Sequence, residues 1–194
     1  FEYLKEVILP RLFREREQPG EPLRIWVPGC STGEEAYSIA LLCHQYAREN
    51  GVPPHYKIFA TDVDKAAVRF AGIGSYPAGV AADVPADLLT SYFHKSVKGY
   101  QVIDQLRDQV LFAVQDLLND PPFINMDLIS CRNLLIYLTP AAKQKVLSTF
   151  HFALHQGGML LLGPSESLGS LKNAFQEINR SLNVFTCRKE VPVP

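Results

Sequence analysis

Residues 23–50 place the tightest constraint on the fold. LRIWVPGC (23–30) is a short, nearly unbroken apolar run that ends in a glycine turn. A strand covered on both faces requires such a run, whereas a strand with one wet face alternates apolar with polar residues. EEAYSIALLCHQYAREN (34–50) follows with apolar residues at helical spacing, and Gly51 supplies the stop. The order then repeats. YKIFATDV (56–63) reads as a second buried strand, Asp64 as an N-cap and KAAVRFAGIG as the helix it starts. Strand, helix, strand, helix predicts a mostly parallel α/β sheet.

Phe1, Leu4, Val7 and Ile8 predict an amphipathic helix to about Pro10 or Leu12, and EREQPGEP (15–22) a loop. The alternation breaks over residues 75–108, where short β-like pieces flank a glycine turn, as in a small antiparallel insertion. QVLFAVQDLL (109–118) and MDLISC (126–131) return to the main sheet. A helix is expected from about Pro140 to His155, then a break at Gly157-Gly158 and the strand MLLLGPS (159–165). NAFQEI predicts a last helix, and LNVFTCRK an edge strand or hairpin.

A chain of 194 residues suits one domain, or one domain with an insertion. A net charge of −1 provides no general attraction to nucleic acid or to an anionic membrane. The four cysteines are scattered and form no CxxC pair, which argues for reduced thiols in a cytoplasmic protein. The five histidines do not cluster, and His151/His155 read as an i,i+4 helical pair with no acid in their own segment, so no metal is expected. No apolar run is long enough to insert in a membrane, and the first residues lack a signal peptide's cleavage region.

Open α/β sheets bind ligands at the carboxyl ends of their strands, so chemistry is sought there. In VPGCSTGEEAYSIA (27–40), Gly29 and Gly33 let the backbone approach a ligand closely. The spacing is not GxGxxG, and Glu34 at the helix start would repel a pyrophosphate but suit a cation. Glu34 and Glu35 fit equally well as complements to the helix dipole. Asp62 ends the second strand, where nucleoside-binding folds place an acid for ribose hydroxyls. With Asp64 available as the cap, Asp62 is freer for that role. Asp116-Leu117 ends the next strand and could meet the edge and face of a base, or simply close the strand over a core leucine. In SCRNLLIYL (130–138), Arg132 and Asn133 follow a buried strand, and a helical turn would bring Tyr137 onto the face of Asn133. An ion pair of Arg132 with Glu34 or Asp127 is the structural alternative.

VPGCSTGEEAYSIA, FATDVD, SYF…GYQV…LRDQVLF, DLISCRNLLIYL and LGPSESL, in this order, resemble the CheR-type chemoreceptor glutamate methyltransferases. The likeness runs from about Phe1 to Arg188, and the run from Asn119 to Leu138 is similar to the CheR portion of fused methylesterase–methyltransferase proteins. It implies a class I, Rossmann-like methyltransferase fold over 23–194 with a β-subdomain at about 75–108. The cofactor would be S-adenosyl-L-methionine, leaving as S-adenosyl-L-homocysteine. Gly29, Ser31, Thr32, Gly33, Glu34, Asp62, Asp116, Leu117 and Asn133 would bind it, with Glu34 at the amino-acid part, Asp62 at the ribose, and Asp116 and Leu117 at the adenine. Arg132 and Tyr137 would serve the transfer, beside Asn133. Tyr92, Phe93, Gly99 and Tyr100 of the subdomain would contact the cytoplasmic domain of a chemoreceptor. The family pattern sets a helical domain and a Thr/Ser-Phe-Phe-Arg segment, with a further arginine, ahead of the stretch that starts at Phe1. Residues 1–22 would be the remnant of that connection, which makes turnover a separate question from cofactor binding. Position 116 is aspartate where the family more often has asparagine.

A glutamate nucleophile is already ionised at neutral pH, its reference pKa being about 4.3, so no general base is expected. Two rivals remain. One is a non-catalytic module that binds S-adenosylmethionine or S-adenosylhomocysteine and signals its presence. The other is an amino-methyltransferase acting on nucleic acid, suggested by NDPPF (119–123), although that motif here precedes MDLISC rather than following it. A dinucleotide oxidoreductase is disfavoured by the glycine spacing, and GPSES (163–167) is not GxSxG and reads as a polar turn.

Overall fold

The computed structural model describes residues 1–14 and 20–193, so residues 15–19 of the expected loop lie outside the described residues. A π-helical turn (Leu4–Ile8) leads into α1 (Leu9–Arg14), then β1 (Leu23–Pro28), α2 (Glu34–Asn50), β2 (Tyr56–Asp62) and α3 (Lys65–Ile73). The next stretch holds β3 (Ser75–Tyr76), a 3-10 turn (Ala78–Ala82), α4 (Ala86–Tyr92), β4 (Phe93–Ser96), β5 (Gly99–Val102) and α5 (Asp104–Arg107). After it come β6 (Val110–Val114), β7 (Met126–Cys131), a 3-10 turn (Leu135–Tyr137) and α6 (Pro140–Ala153). The chain closes with β8 (Leu154–Leu162), a 3-10 segment (Gly169–Ala174), β9 (Phe175–Asn179) and β10 (Val184–Cys187).

The main sheet has the order β6-β2-β1-β7-β8-β10-β9. Its first five strands are parallel, and β10 runs antiparallel to both β8 and β9. From β1 the chain moves outward through β2 to β6, then returns to the other side of β1 as β7. The order therefore reverses between β1 and β7, and the crevice over a switch point of this kind is where open α/β sheets take their ligands. β3, β5 and β4 form a separate antiparallel sheet.

Both faces of the main sheet are covered, as the apolar runs require. Ile25 and Val27 pack with α2 and the amino-terminal helix, while Trp26 points through the other face towards α6. The Trp26 indole is fully buried, edge-on to Phe123 and Phe150, and donates to Thr61 Oγ1 at 3.0 Å. Each such ring pair contributes about 1 kcal/mol beyond burial. The helix ends follow local chemistry. Asp64 accepts from Ala66 N and Ala67 N, Thr139 caps α6, and Gly51 closes α2 at φ 65°.

Three expectations need correction. α6 stops at Ala153, and β8 begins at Leu154, so His155 is a strand residue and not the helical partner of His151. Its ring instead lies 3.0 Å from Asp127 Oδ1. Gly157-Gly158 falls inside β8, where its pairing with β7 shifts register; a Cβ at Gly158 would come 2.9 Å from Met126 O. These glycines permit close strand contact rather than a break. NAFQEI is likewise not a helix, since Gly169–Ala174 is 3-10 and Phe175–Asn179 forms β9 of a hairpin with β10.

Candidate active site

The turn after β1 passes through three left-handed residues, Gly29 (φ 67°), Ser31 (φ 47°) and Gly33 (φ 93°). A Cβ at Gly29 would meet Leu134 Cδ2 at 3.0 Å, and one at Gly33 would meet Ala71 Cβ at 2.8 Å. Both glycines thus serve close packing as well as the turn. Asp62 ties this loop to β2: Ser31 N donates to its Oδ2 at 2.8 Å and Asp64 N to its Oδ1 at 2.9 Å. A carboxylate has roughly four acceptor positions, so two stay available to a ligand.

Gly29, Asp62, Asp116 and Leu117 line one cavity of about 220 Å³, walled by Leu118, Leu134, Leu138 and Val146. Gln115 lines it too. Its Oε1 is buried without a partner while its Nε2 donates to Pro121 O at 2.9 Å. An apolar slot with acids at its rim and a spare buried acceptor fits an adenosine group, which has a flat apolar base, a donating amino group and donating ribose hydroxyls. Asp116 also serves its own turn, accepting from Leu118 N at 2.8 Å and Asn119 Nδ2 at 2.7 Å. The Asn119 amide, with help from Leu118 N–H, holds the Asp116 carboxyl below the usual carboxylate range.

The remaining expected residues separate. The Glu34 carboxylate accepts from Thr32 Oγ1 at 2.7–2.8 Å and lines a different cavity of about 220 Å³, between α2 and the antiparallel sheet, with Tyr37, Tyr76 and Phe93. Thr32 O accepts from Tyr76 Oη at 2.7 Å. Arg132 lines a third, apolar recess with Leu4, Leu162 and Leu182, its guanidinium 5.5 Å from the Phe1 ring centre. Asn133 is left-handed (φ 60°), so no helical turn links it to Tyr137, which is 79% exposed on the 3-10 turn. No ion pair of Arg132 with Glu34 or Asp127 is found among the described residues. Asp127 instead accepts from Arg24 N and meets His155.

Glu35, read from the sequence as a dipole-complementing acid, turns inward towards the end of β7. It accepts from Ser130 Oγ at 2.6 Å, at the carboxyl end of β7. Burial pushes its carboxyl up, against the Ser130 hydrogen bond and the positive charge of Arg132. Helical periodicity carried this signal: Glu35 stands one turn before Ile39 and two before Cys43, both fully buried, whereas Glu34 precedes the half-buried Ser38. Glu166 was missed as well. It is 6% exposed and bonded to three backbone amides beside Asn133.

Tyr92, the last residue of α4, is 3% exposed with its ring edge-on to His44, and in the antiparallel sheet a Cβ at Gly99 would fall 2.1 Å from Tyr76 O. Packing uses both, and neither presents much surface of its own. Phe93 and Tyr100 are half-buried, and Val97 at the tip is fully exposed.

Residues 1–184 match the family model described as CheR methyltransferase, SAM binding domain. Over 179 residues the chain is 36% identical to chemotaxis protein methyltransferase 2 of Vibrio cholerae, covering 90% of this chain and 61% of that protein. It is 40% identical over 175 residues to an uncharacterised 104.1 kDa protein of Rhodobacter capsulatus, covering 90% of this chain but 18% of that one. The chain thus spans less than two thirds of either relative. Among solved structures, a TehB-like SAM-dependent methyltransferase from Corynebacterium glutamicum aligns with TM-score 0.52 at 14% identity, over 93% of this chain and 87% of that one, which is a likeness of fold. With its switch-point cavity, its Asp62 and its matched residues, the chain belongs to the CheR methyltransferase family and carries that family's SAM-binding domain.

Proposed function

We propose that this chain methylates glutamate side chains in the cytoplasmic domains of chemoreceptors, using S-adenosylmethionine and yielding glutamate methyl esters. The observation that carries this reading is the pairing of two unlike sites along one sheet edge. Asp62 and its apolar cavity suit a nucleoside, while Arg132 stands at the end of β7 with Glu35 and Ser130 beside it. S-adenosylmethionine, when bound, supplies an electrophilic methyl group on a positively charged sulfur. Asp62 would accept from the ribose hydroxyls, Leu117 and Leu134 would flank the base, and Glu34 or the inward-turned Glu35 would meet the cofactor's ammonium. Arg132, with Asn133 and the exposed Tyr137, orients the incoming carboxylate, and an arginine grips such a group through two parallel N–H bonds. That carboxylate is already ionised near neutral pH, so the chain need not accept a proton and its task is alignment. Phe93 and Tyr100 of the antiparallel sheet, with Val97 at its tip, are the receptor-facing candidates.

The test incubates the natural protein with methyl-labelled S-adenosylmethionine and a receptor cytoplasmic fragment. Label that mild base releases as methanol supports the ester. Base-stable label on an amine would overturn it in favour of an amino-methyltransferase. Tight S-adenosylhomocysteine binding without any transfer would favour the non-catalytic signalling module.

A further inference from the structure

The β7 end of the site depends on a residue with no role in the reading above. Glu166 lies just past β8, yet its buried carboxylate reaches back to the chain after β7. Oε1 accepts from Leu134 N at 2.9 Å and Leu135 N at 2.7 Å, and Oε2 accepts from Gly163 N at 2.6 Å. Burying an ionised carboxylate costs several kcal/mol unless hydrogen bonds compensate, and three amide donors supply that compensation. Asn183 encloses the arrangement from outside, its Nδ2 donating to Gly163 O at 2.7 Å and Glu166 O at 3.0 Å.

The clasp surrounds Asn133. A Cβ at Gly163 would lie 3.0 Å from Asn133 Oδ1 and 3.1 Å from Asn133 N, so the asparagine rests on the bare glycine backbone. Asn133 is itself left-handed, a conformation that asparagine tolerates better than most residues and that the contacts around it hold in place. The amides of the two residues after it are the ones Glu166 holds. Arg132, immediately before it, leaves β7 in the direction this turn dictates.

We propose that Glu166 is the positioning residue of the methyl-transfer site: by joining the ends of β7 and β8 it fixes the turn that presents Arg132 and Asn133. It touches neither cofactor nor substrate and acts through these two side chains. The inference rests on the methyl-transfer reading and adds a residue to it.

Glu166→Gln tests this in the natural protein. The amide keeps one acceptor oxygen but sets an NH₂ against an N–H donor, so one end of the clasp opens. Asn183 has φ 50°, so Asn183→Gly removes only the outer bonds and leaves the backbone at ease. The expected result for Glu166→Gln is a kcat lower by about 30-fold, with the S-adenosylhomocysteine Kd within about threefold of the unsubstituted protein, because Asp62, Asp116 and Leu117 are untouched and only the Leu134 wall of their cavity adjoins the clasp. Asn183→Gly should show the same split at about fivefold in kcat, and it decides the matter if the glutamine variant fails to fold. An unchanged kcat, or kcat and affinity falling in proportion, would overturn the positioning role. An unsubstituted protein that transfers no methyl group would overturn the functional reading and this inference with it.

Discussion

The loops after β1 and β7 leave adjacent strands at the same end of the sheet, and both turn through left-handed backbone, but they hold that turn by different means. The β1 loop spends glycines at 29 and 33, on either side of a left-handed Ser31, and is tied to β2 by one carboxylate, Asp62. The β7 loop keeps a side chain at its left-handed position, Asn133, and is held by a carboxylate from beyond the next strand. Glycine leaves the backbone bare for a ligand to approach, whereas asparagine retains a polar group to present. The first loop is built to be approached, and the second to reach out.

The largest expected effect is at Gly33. Gly33→Ala forces alanine to φ 93° and sets its Cβ 2.8 Å from that of Ala71. Strain and overpacking together should cost about 3 kcal/mol, a fall of roughly 6–12 °C in Tm by calorimetry. A fall of a degree or less would show that the first loop is not fixed by its glycines.

At Asn133 the comparison is between Ala and Gly. Both substitutions delete the side chain, but only alanine is strained at φ 60°, so Asn133→Ala should melt about 2–4 °C below Asn133→Gly. Equal melting temperatures would mean that the second loop tolerates other conformations, and the contrast with the first would fail.

Much of this architecture could be read from residue order. The buried strands, the α2 and α3 boundaries, the Asp64 cap and the acid at the end of β2 are all local signals, visible as apolar runs, periodicity and spacing. The β7 end was less legible, because Glu166 is 32 residues from Leu134 and nothing local says which amides it will meet. Glu35 was legible but overlooked: neighbouring acids on a helix face different ways, and the period distinguishes them. The β8 boundary misled because glycine ordinarily interrupts a strand, while here Gly158 lets β8 lie against Met126 O.

Glu35 joins the two loops, since it lies in the first turn of α2 after the first and bonds Ser130 before the second. Burial raises its folded pKa above the unfolded value, so its favourable contribution holds below the unfolded pKa and is lost as pH rises through the folded one. Glu35→Gln lacks this penalty. The variant should gain Tm over the parent as pH rises above the ordinary carboxylate range, yet bind S-adenosylhomocysteine more weakly. A stability gain independent of pH would remove the carboxyl's burial as the cause.

The smallest effect is a reporter of loop opening. Cys30 lies in the first loop and Cys131 precedes the second; burial pushes the Cys30 thiol up to about 12 and the Cys131 thiol well up too. Neither should react with iodoacetamide at pH 8 in the folded protein, and mild denaturant should expose Cys30 first, as Cys131 is the more deeply buried. Labelling of Cys131 first would show that the second loop opens more readily than the first.

The central claim is that the cavity bounded by Gly29, Asp62 and Leu117 binds the nucleoside part of the cofactor. Calorimetric titration with S-adenosylhomocysteine, on the parent and on Asp62→Ala, tests it most directly. One site is expected in the parent and an affinity at least tenfold lower in the variant, with native circular dichroism in both. Equal affinities, or no binding by a well-folded parent, would contradict it.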